Sequence, residues 1–152
     1  MREAYVNSRI ADDIEEEIGG RCIKLSDKVS LGLPDTLHIK DGIITFIEFK
    51  IGDKHETINN IVSVKPWDSV NDIRQYEICR SLAKNCLVLY MIYYKEIKMT
   101  AILPVEILNL YNPRYASPAI TLDGNKYLVN GYGIEKLKEM MQENRRKIRE
   151  KL

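Results

Sequence analysis

The dipeptide Asp41-Gly42 constrains this chain more than any other feature. It stands between Thr36-Leu-His-Ile-Lys40 and Ile43-Ile-Thr-Phe-Ile-Glu-Phe-Lys50, two runs that read as paired strands. Asp-Gly favours a two-residue type I′ turn, because both central residues of that turn need φ > 0. A hairpin closed in this way has one register: 40 faces 43, 38 faces 45, and 35 faces 48. Leu37, Ile39, Ile44 and Phe46 then share an apolar face. At the end of that face Asp35 and Glu48 lie opposite one another, with Cβ atoms roughly 5 Å apart. Lys50 is two residues beyond Glu48 and on the same face. A one-residue bulge would send the two acids to opposite faces.

Two carboxylates held that close repel unless something cationic lies between them. Two acids and a lysine on one face have the make-up of a divalent-metal site with a positioned cation. Gly32-Leu33-Pro34-Asp35 alone would be a common turn, and Glu48-Phe49-Lys50 alone a common strand edge. Their meeting at the end of an apolar face is what points to chemistry.

At 152 residues the chain suits one domain, 1–152, with a core over about 3–111 and a C-terminal hairpin and helix over 112–152. Net charge is +1, so no global field attracts nucleic acid and any such surface must be local. No segment approaches a membrane span, and the N-terminus carries acids where a signal peptide would be apolar. No membrane partner is expected. Cys22, Cys79 and Cys86 are odd in number, lie on apolar faces and lack zinc spacing, which fits free thiols in a reducing cytoplasm. Twenty isoleucines against two glutamines, with abundant Lys and Glu, lean toward a thermophilic source.

Residues 3–18 read as a helix ended by Gly19-Gly20, with Val6, Ile10, Ile14 and Ile18 in one stripe. Glu3 projects onto the middle of that stripe, with Asn7 close by. An acid there either meets a partner or metal or sits in a frayed first turn and complements the helix dipole. Arg21 to Leu25 reads as a short strand, with Lys24 on the face opposite Ile23 and Leu25. Residues 52–68, polar and interrupted by Pro66, read as an insertion or loop. Ser69-Val-Asn-Asp72 resembles a capping box opening a helix to about Lys84, on which Gln75 borders the packed face. Leu87 to Tyr94 reads as a central buried strand. A strand over 98–103 and a short helix from Pro104 to Tyr111 follow, then a hairpin around Asp123-Gly124-Asn125. Residues 134–152 form a charged helix with seven Lys or Arg against four Glu. It reads as a packed surface helix, a docking helix, a dimer seam or a phosphate-contacting arm, with Arg145 and Arg146 the contacts in the last case.

This order of helix, strand, Pro-Asp hairpin and Glu-x-Lys resembles the PD-(D/E)xK nuclease superfamily, and within it the virus-type replication-repair (VRR-NUC) domain. The matching residues are Gly19-Gly20-Arg-Cys-Ile-Lys24-Leu, Gly32-Leu-Pro34-Asp35, Phe46-Ile-Glu48-Phe-Lys50 and Gln75 before an apolar strand, within about residues 3–94. The resemblance implies an α/β restriction-endonuclease-like core, a central mixed sheet with helices on both faces. It implies metal-dependent hydrolysis of DNA phosphodiesters in replication, repair or recombination, with Mg²⁺ or Mn²⁺ held by Asp35, Glu48, the Phe49 carbonyl and Glu3. Family members carry an acid three residues before the first apolar position of the first helix, as Glu3 precedes Val6. Lys50 would orient water or offset developing charge, and Lys24 and Gln75 would contact water or phosphate. Localisation would be cytoplasmic, in the host if the gene is viral or plasmid-borne. A dimeric archaeal-type Holliday junction resolvase and a non-catalytic DNA-binding protein on the same fold are the rival readings.

Overall fold

The computed structural model describes residues 3–25, 32–70, 72–108, 120–121 and 127–152. The first helix, α1 (Glu3–Glu17), leads into β1 (Arg21–Lys24), β2 (Thr36–Lys40) and β3 (Ile43–Gly52). β4 (His55–Ile58) and β5 (Ile61–Val64) follow, then α2 (Ile73–Leu82), β6 (Leu87–Tyr94) and β7 (Met99–Pro104). β8 (Ile120–Thr121), β9 (Leu128–Asn130) and α3 (Ile134–Glu150) complete the described elements.

Six strands form the main sheet in the order β1-β2-β3-β6-β7-β9. Its pairs are antiparallel except β3 with β6, which run parallel. The fold is therefore α/β with a mixed central sheet. One face carries α1 and the start of α3: Val6, Ile10, Ile14, Ile134 and Leu137 pack with Ile47, Phe49, Leu89 and Met91. The other face carries α2: Tyr76 and Cys79 pack with Val88, Tyr90, Ile92 and Leu103. β6 alternates between the two cores, and seven of its eight residues are buried. That is why it reads as a continuous apolar run, as expected of a strand covered on both faces.

α1 ends where Gly19 and Gly20 take φ of +91° and +72°. A Cβ on Gly20 would lie 2.4 Å from the Ile39 carbonyl oxygen, so the chain can turn into β1 this close to β2 only with glycine there. The hairpin has the expected register, Lys40 opposite Ile43 through Thr36 opposite Ile47. Asp41 and Gly42 both have positive φ, 53° and 78°, as a type I′ turn demands.

Three local expectations are corrected. Residues 55–64 form a hairpin, not a loop: Asn59 and Asn60 supply a second turn with φ of 52° and 65°, and Val62 and Val64 pack on the α2-side core. β5 also pairs with β8, making a separate three-stranded sheet. The cap of α2 is Asp72, whose Oδ1 accepts from the Gln75 N–H at 3.1 Å, while Ser69 closes a 3₁₀ turn over Pro66–Asp68. The helix after Pro104 is a single 3₁₀ turn, Val105–Ile107, with 109–119 outside the described residues. The turn at Asp123-Gly124-Asn125 also lies outside them, and its flanks β8 and β9 belong to different sheets. No described helix is long and apolar enough to cross a membrane.

Candidate functional site

β2 and β3 separate in pairing just where the acids stand. Asp35 precedes β2 by one residue and continues its register opposite Glu48. Each acid is fixed by the other's backbone neighbourhood: the Asp35 N–H donates to Glu48 Oε1 at 2.9 Å, and the Phe49 N–H donates to Asp35 Oδ2 at 3.3 Å. On the other side the Leu25 N–H donates to the Asp35 carbonyl at 2.7 Å. Lys50 Nζ lies 3.2 Å from Glu48 Oε2. Asp35, Glu48 and Lys50 thus share one face of the sheet, the face covered by α2.

The Gly-Leu-Pro-Asp segment owes its path to close contact with that helix. Gly32 has φ of +90°, and a Cβ there would meet Ile78 Cδ1 at 2.4 Å and Gln75 Cα at 3.5 Å. Glycine lets the segment pass against α2, and Pro34 is buried behind it. The same packing delivers Gln75, whose side chain hydrogen-bonds Glu48 while its own Oε1 is buried without a partner among the described residues. Sequence reasoning missed the layer beneath: Tyr90 stands beside Glu48 in the parallel register, and Cys79 of α2 contacts it. The one signal available was that Gln75 and Cys79 are four apart and so share a helix face.

Glu48 is only 4% exposed. Burial raises its pKa above the usual carboxylate value, opposed by Lys50, the Asp35 N–H and Gln75. Burial likewise pushes the Cys79 thiol up to about 11, and raises the Tyr90 hydroxyl. The site sets the buried Glu48 beside the half-buried Asp35, with the Lys50 ammonium 3.2 Å from Glu48. A hard divalent cation suits such a donor set. Carboxylate oxygens that accept one N–H retain a further lone pair. Because the Phe49 N–H points toward Asp35, its carbonyl points to the same edge of β3, beyond the last pair of the β2–β3 ladder. Among the described residues no three His, Cys, Asp or Glu side chains group around one point. Two carboxylates and one carbonyl leave the remaining positions to water or phosphate, the manner in which Mg²⁺ is commonly held.

The other expected site residues divide. Glu3 opens α1, and its side chain lies outside the described residues. The C-terminus of α1 is tied to the turn end of the hairpin by Lys40 on the Ile18 carbonyl and His38 on the Gly19 carbonyl. A 15-residue helix spans about 22 Å, so α1 begins toward the Asp35 end, on the sheet face opposite Glu48. Lys24 pairs with Thr36 and so lies on that opposite face too. Arg145 is ion-paired with Asp41 at 2.8 Å. It is therefore at the far end of the hairpin, seven strand residues or about 23 Å from Glu48. Arg146 is engaged by Glu143 and Glu150 of its own helix.

No family model matches the sequence, and no curated protein is similar to it. Among solved structures the fold is similar to Hjc, a Holliday junction resolvase of the archaeal hyperthermophile Archaeoglobus fulgidus, at 16% identity and a TM-score of 0.43, over 86% of this chain and 98% of that one. It is also similar to the bacterial homing endonuclease I-Ssp6803I, at 19% identity and a TM-score of 0.39, over 80% of this chain and 76% of that one. At this degree of overlap the case for a function rests on the site's own geometry.

Proposed function

We propose that the chain is a divalent-metal-dependent deoxyribonuclease of the VRR-NUC kind, acting on DNA structures that arise in replication, repair or recombination. The observation that carries this reading is the pairing of Asp35 with the buried Glu48, each fixed by a backbone N–H beside the other, with Lys50 3.2 Å from Glu48. Holding Glu48 out of water beside a second acid costs stability unless a cation lies between them. Mg²⁺ or Mn²⁺ would be held by Asp35, Glu48 and the Phe49 carbonyl, with Glu3, from the start of α1 at the same end of the sheet, helping to hold the metal or its water shell. When bound, it supplies Lewis acidity and lowers the pKa of a coordinated water.

The chain's own groups do the rest. The Lys50 ammonium stands where it can orient the attacking water or offset charge developing on the phosphate. Gln75 holds Glu48 in place and keeps a buried acceptor oxygen beside it. A panel of labelled flaps, junctions, ends and single strands, incubated with Mg²⁺ or Mn²⁺, tests the reading. Cleavage that persists in EDTA, with contaminating nucleases excluded, would contradict it. One observation favours the dimeric resolvase as second reading: Ile23 and Ile39, 47% and 37% exposed, continue the apolar face of the hairpin beside the acids. Sedimentation of the full chain separates the two readings.

A further inference from the structure

A second polar cluster lies at the opposite end of the hairpin. A cavity of about 60 Å³ opens between the turn end of β2 and β3, the C-terminus of α1 and the middle of α3. One buried water needs roughly 15 Å³ on the same measure, so a tetrahedral oxyanion has room. The polar lining comprises Lys40, Lys138, Arg145, His38, Thr45 and Gln142, without a carboxylate, and the remaining wall is apolar. Apolar walls weaken dielectric screening and strengthen attraction between an anion and these cations.

Charges already satisfied must be subtracted. Lys40 Nζ donates to the Ile18 carbonyl at 2.6 Å, and His38 Nε2 donates to the Gly19 carbonyl at 2.8 Å. Both offset the partial negative charge of the α1 C-terminus, about half a unit. Arg145 keeps Asp41 at 2.8 Å, but Asp41 is half exposed and outside the lining. Three full positive charges against one carboxylate and half a helix charge leave the cavity net positive. Lys138 and Arg145, seven residues apart, share one face of α3. From there a shallow groove continues past Arg149.

We propose that this cavity binds a phosphate group, either free phosphate or a backbone phosphate of nucleic acid, held by Lys40, Lys138 and Arg145. The first arm of the test is independent of the nuclease reading. Thermal unfolding of the full chain is followed in sodium phosphate and in sodium chloride at equal ionic strength. With phosphate at ten times its Kd, the midpoint should rise by about 3–5 °C over chloride. Lys138→Gln and Arg145→Gln should abolish that rise, and Arg146→Gln, on the carboxylate-engaged side of α3, should keep it. An equal midpoint in both salts, or an undiminished phosphate response in Lys138→Gln and Arg145→Gln, overturns the proposal.

The second arm rests on the DNA reading and separates the two sources. Duplex binding is measured in EDTA across a salt series. Lys138→Gln that weakens binding and lowers the salt slope by about one identifies a backbone phosphate. Unchanged duplex affinity, with the phosphate response lost, identifies free phosphate.

Discussion

At its turn the β2–β3 hairpin sets Asp41 against Arg145 at 2.8 Å, whereas at its open end the same two strands set Asp35 beside Glu48. The first pair is of opposite sign and reached by solvent, the Asp41 and Arg145 side chains being 51% and 35% exposed. The second is of like sign, and one member, Glu48, is out of water at 4% exposed. An exposed ion pair of this sort contributes about 0–1 kcal/mol and can be lost without consequence for the fold. A buried acid set beside a second acid is the costlier arrangement, and Gly32, Pro34 and Gln75 maintain it. The difference teaches where to look for metal chemistry: the end that brings two acids together, one of them out of water, is the end suited to a cation.

The largest effect should fall on cleavage. If the open end is the catalytic end, Asp35→Ala and Glu48→Ala should abolish metal-dependent hydrolysis of labelled DNA. Lys50→Ala should lower the single-turnover rate by roughly two to four orders of magnitude. Arg145→Ala, at the other end, should leave that rate unchanged. A variant at the turn that abolished the chemical step, or a Lys50→Ala enzyme cleaving at full rate, would break the contrast.

Next comes the support beneath the acids. Gly32→Ala adds a Cβ at φ +90°, 2.4 Å from Ile78 Cδ1. Denaturant unfolding should show a loss of about 1–3 kcal/mol. Cleavage should fall as well, because Asp35 and Gln75 flank the contact. Wild-type stability in this variant would mean that the Gly-Leu-Pro-Asp segment is not held against α2.

A smaller effect separates the two ends by pH. Burial places the Glu48 pKa above its unfolded value. The native state then binds more protons than the unfolded chain between those two values, so the metal-free protein should lose stability as pH rises through that window. Stability from Glu48 is greatest below its unfolded pKa, near 4.3. Glu48→Gln should remove that pH dependence and raise the metal-free unfolding midpoint at pH 7. An unchanged pH profile would show that Glu48 carries no such penalty. The smallest effect is expected at the turn, where Arg145→Ala should cost no more than about 1 kcal/mol and matter less in high salt.

The parts legible in the sequence were those decided locally. The hairpin register follows from a turn dipeptide and a period of two, so Asp35, Glu48 and Lys50 could be brought to one face without knowledge of the rest. The α1 stripe and the buried β6 run were readable for the same reason. What escaped depends on contacts between distant segments. The Gln75 side chain reaches Glu48 because Gly32 permits a close approach, and no local pattern reveals that approach. The hairpin over 55–64 was hidden because His-Glu-Thr-Ile and Ile-Val-Ser-Val are short, and Asn-Asn is a weaker turn signal than Asn-Gly. Ser69 and Asp72 both fit a helix cap by composition, and only the 3₁₀ turn at Pro66 decides between them. Arg145 looked like a free cation in a basic helix until packing of α3 put Asp41 beside it.

Calorimetric titration of Mn²⁺ into the metal-free wild type, Asp35→Ala and Lys50→Ala proteins tests the central claim most directly. Binding in the wild type and in Lys50→Ala, with none in Asp35→Ala, is the predicted result: the acids hold the metal and the ammonium acts on the reaction. A wild type that takes up no Mn²⁺, or an Asp35→Ala protein that binds it as tightly as the wild type, would contradict the account.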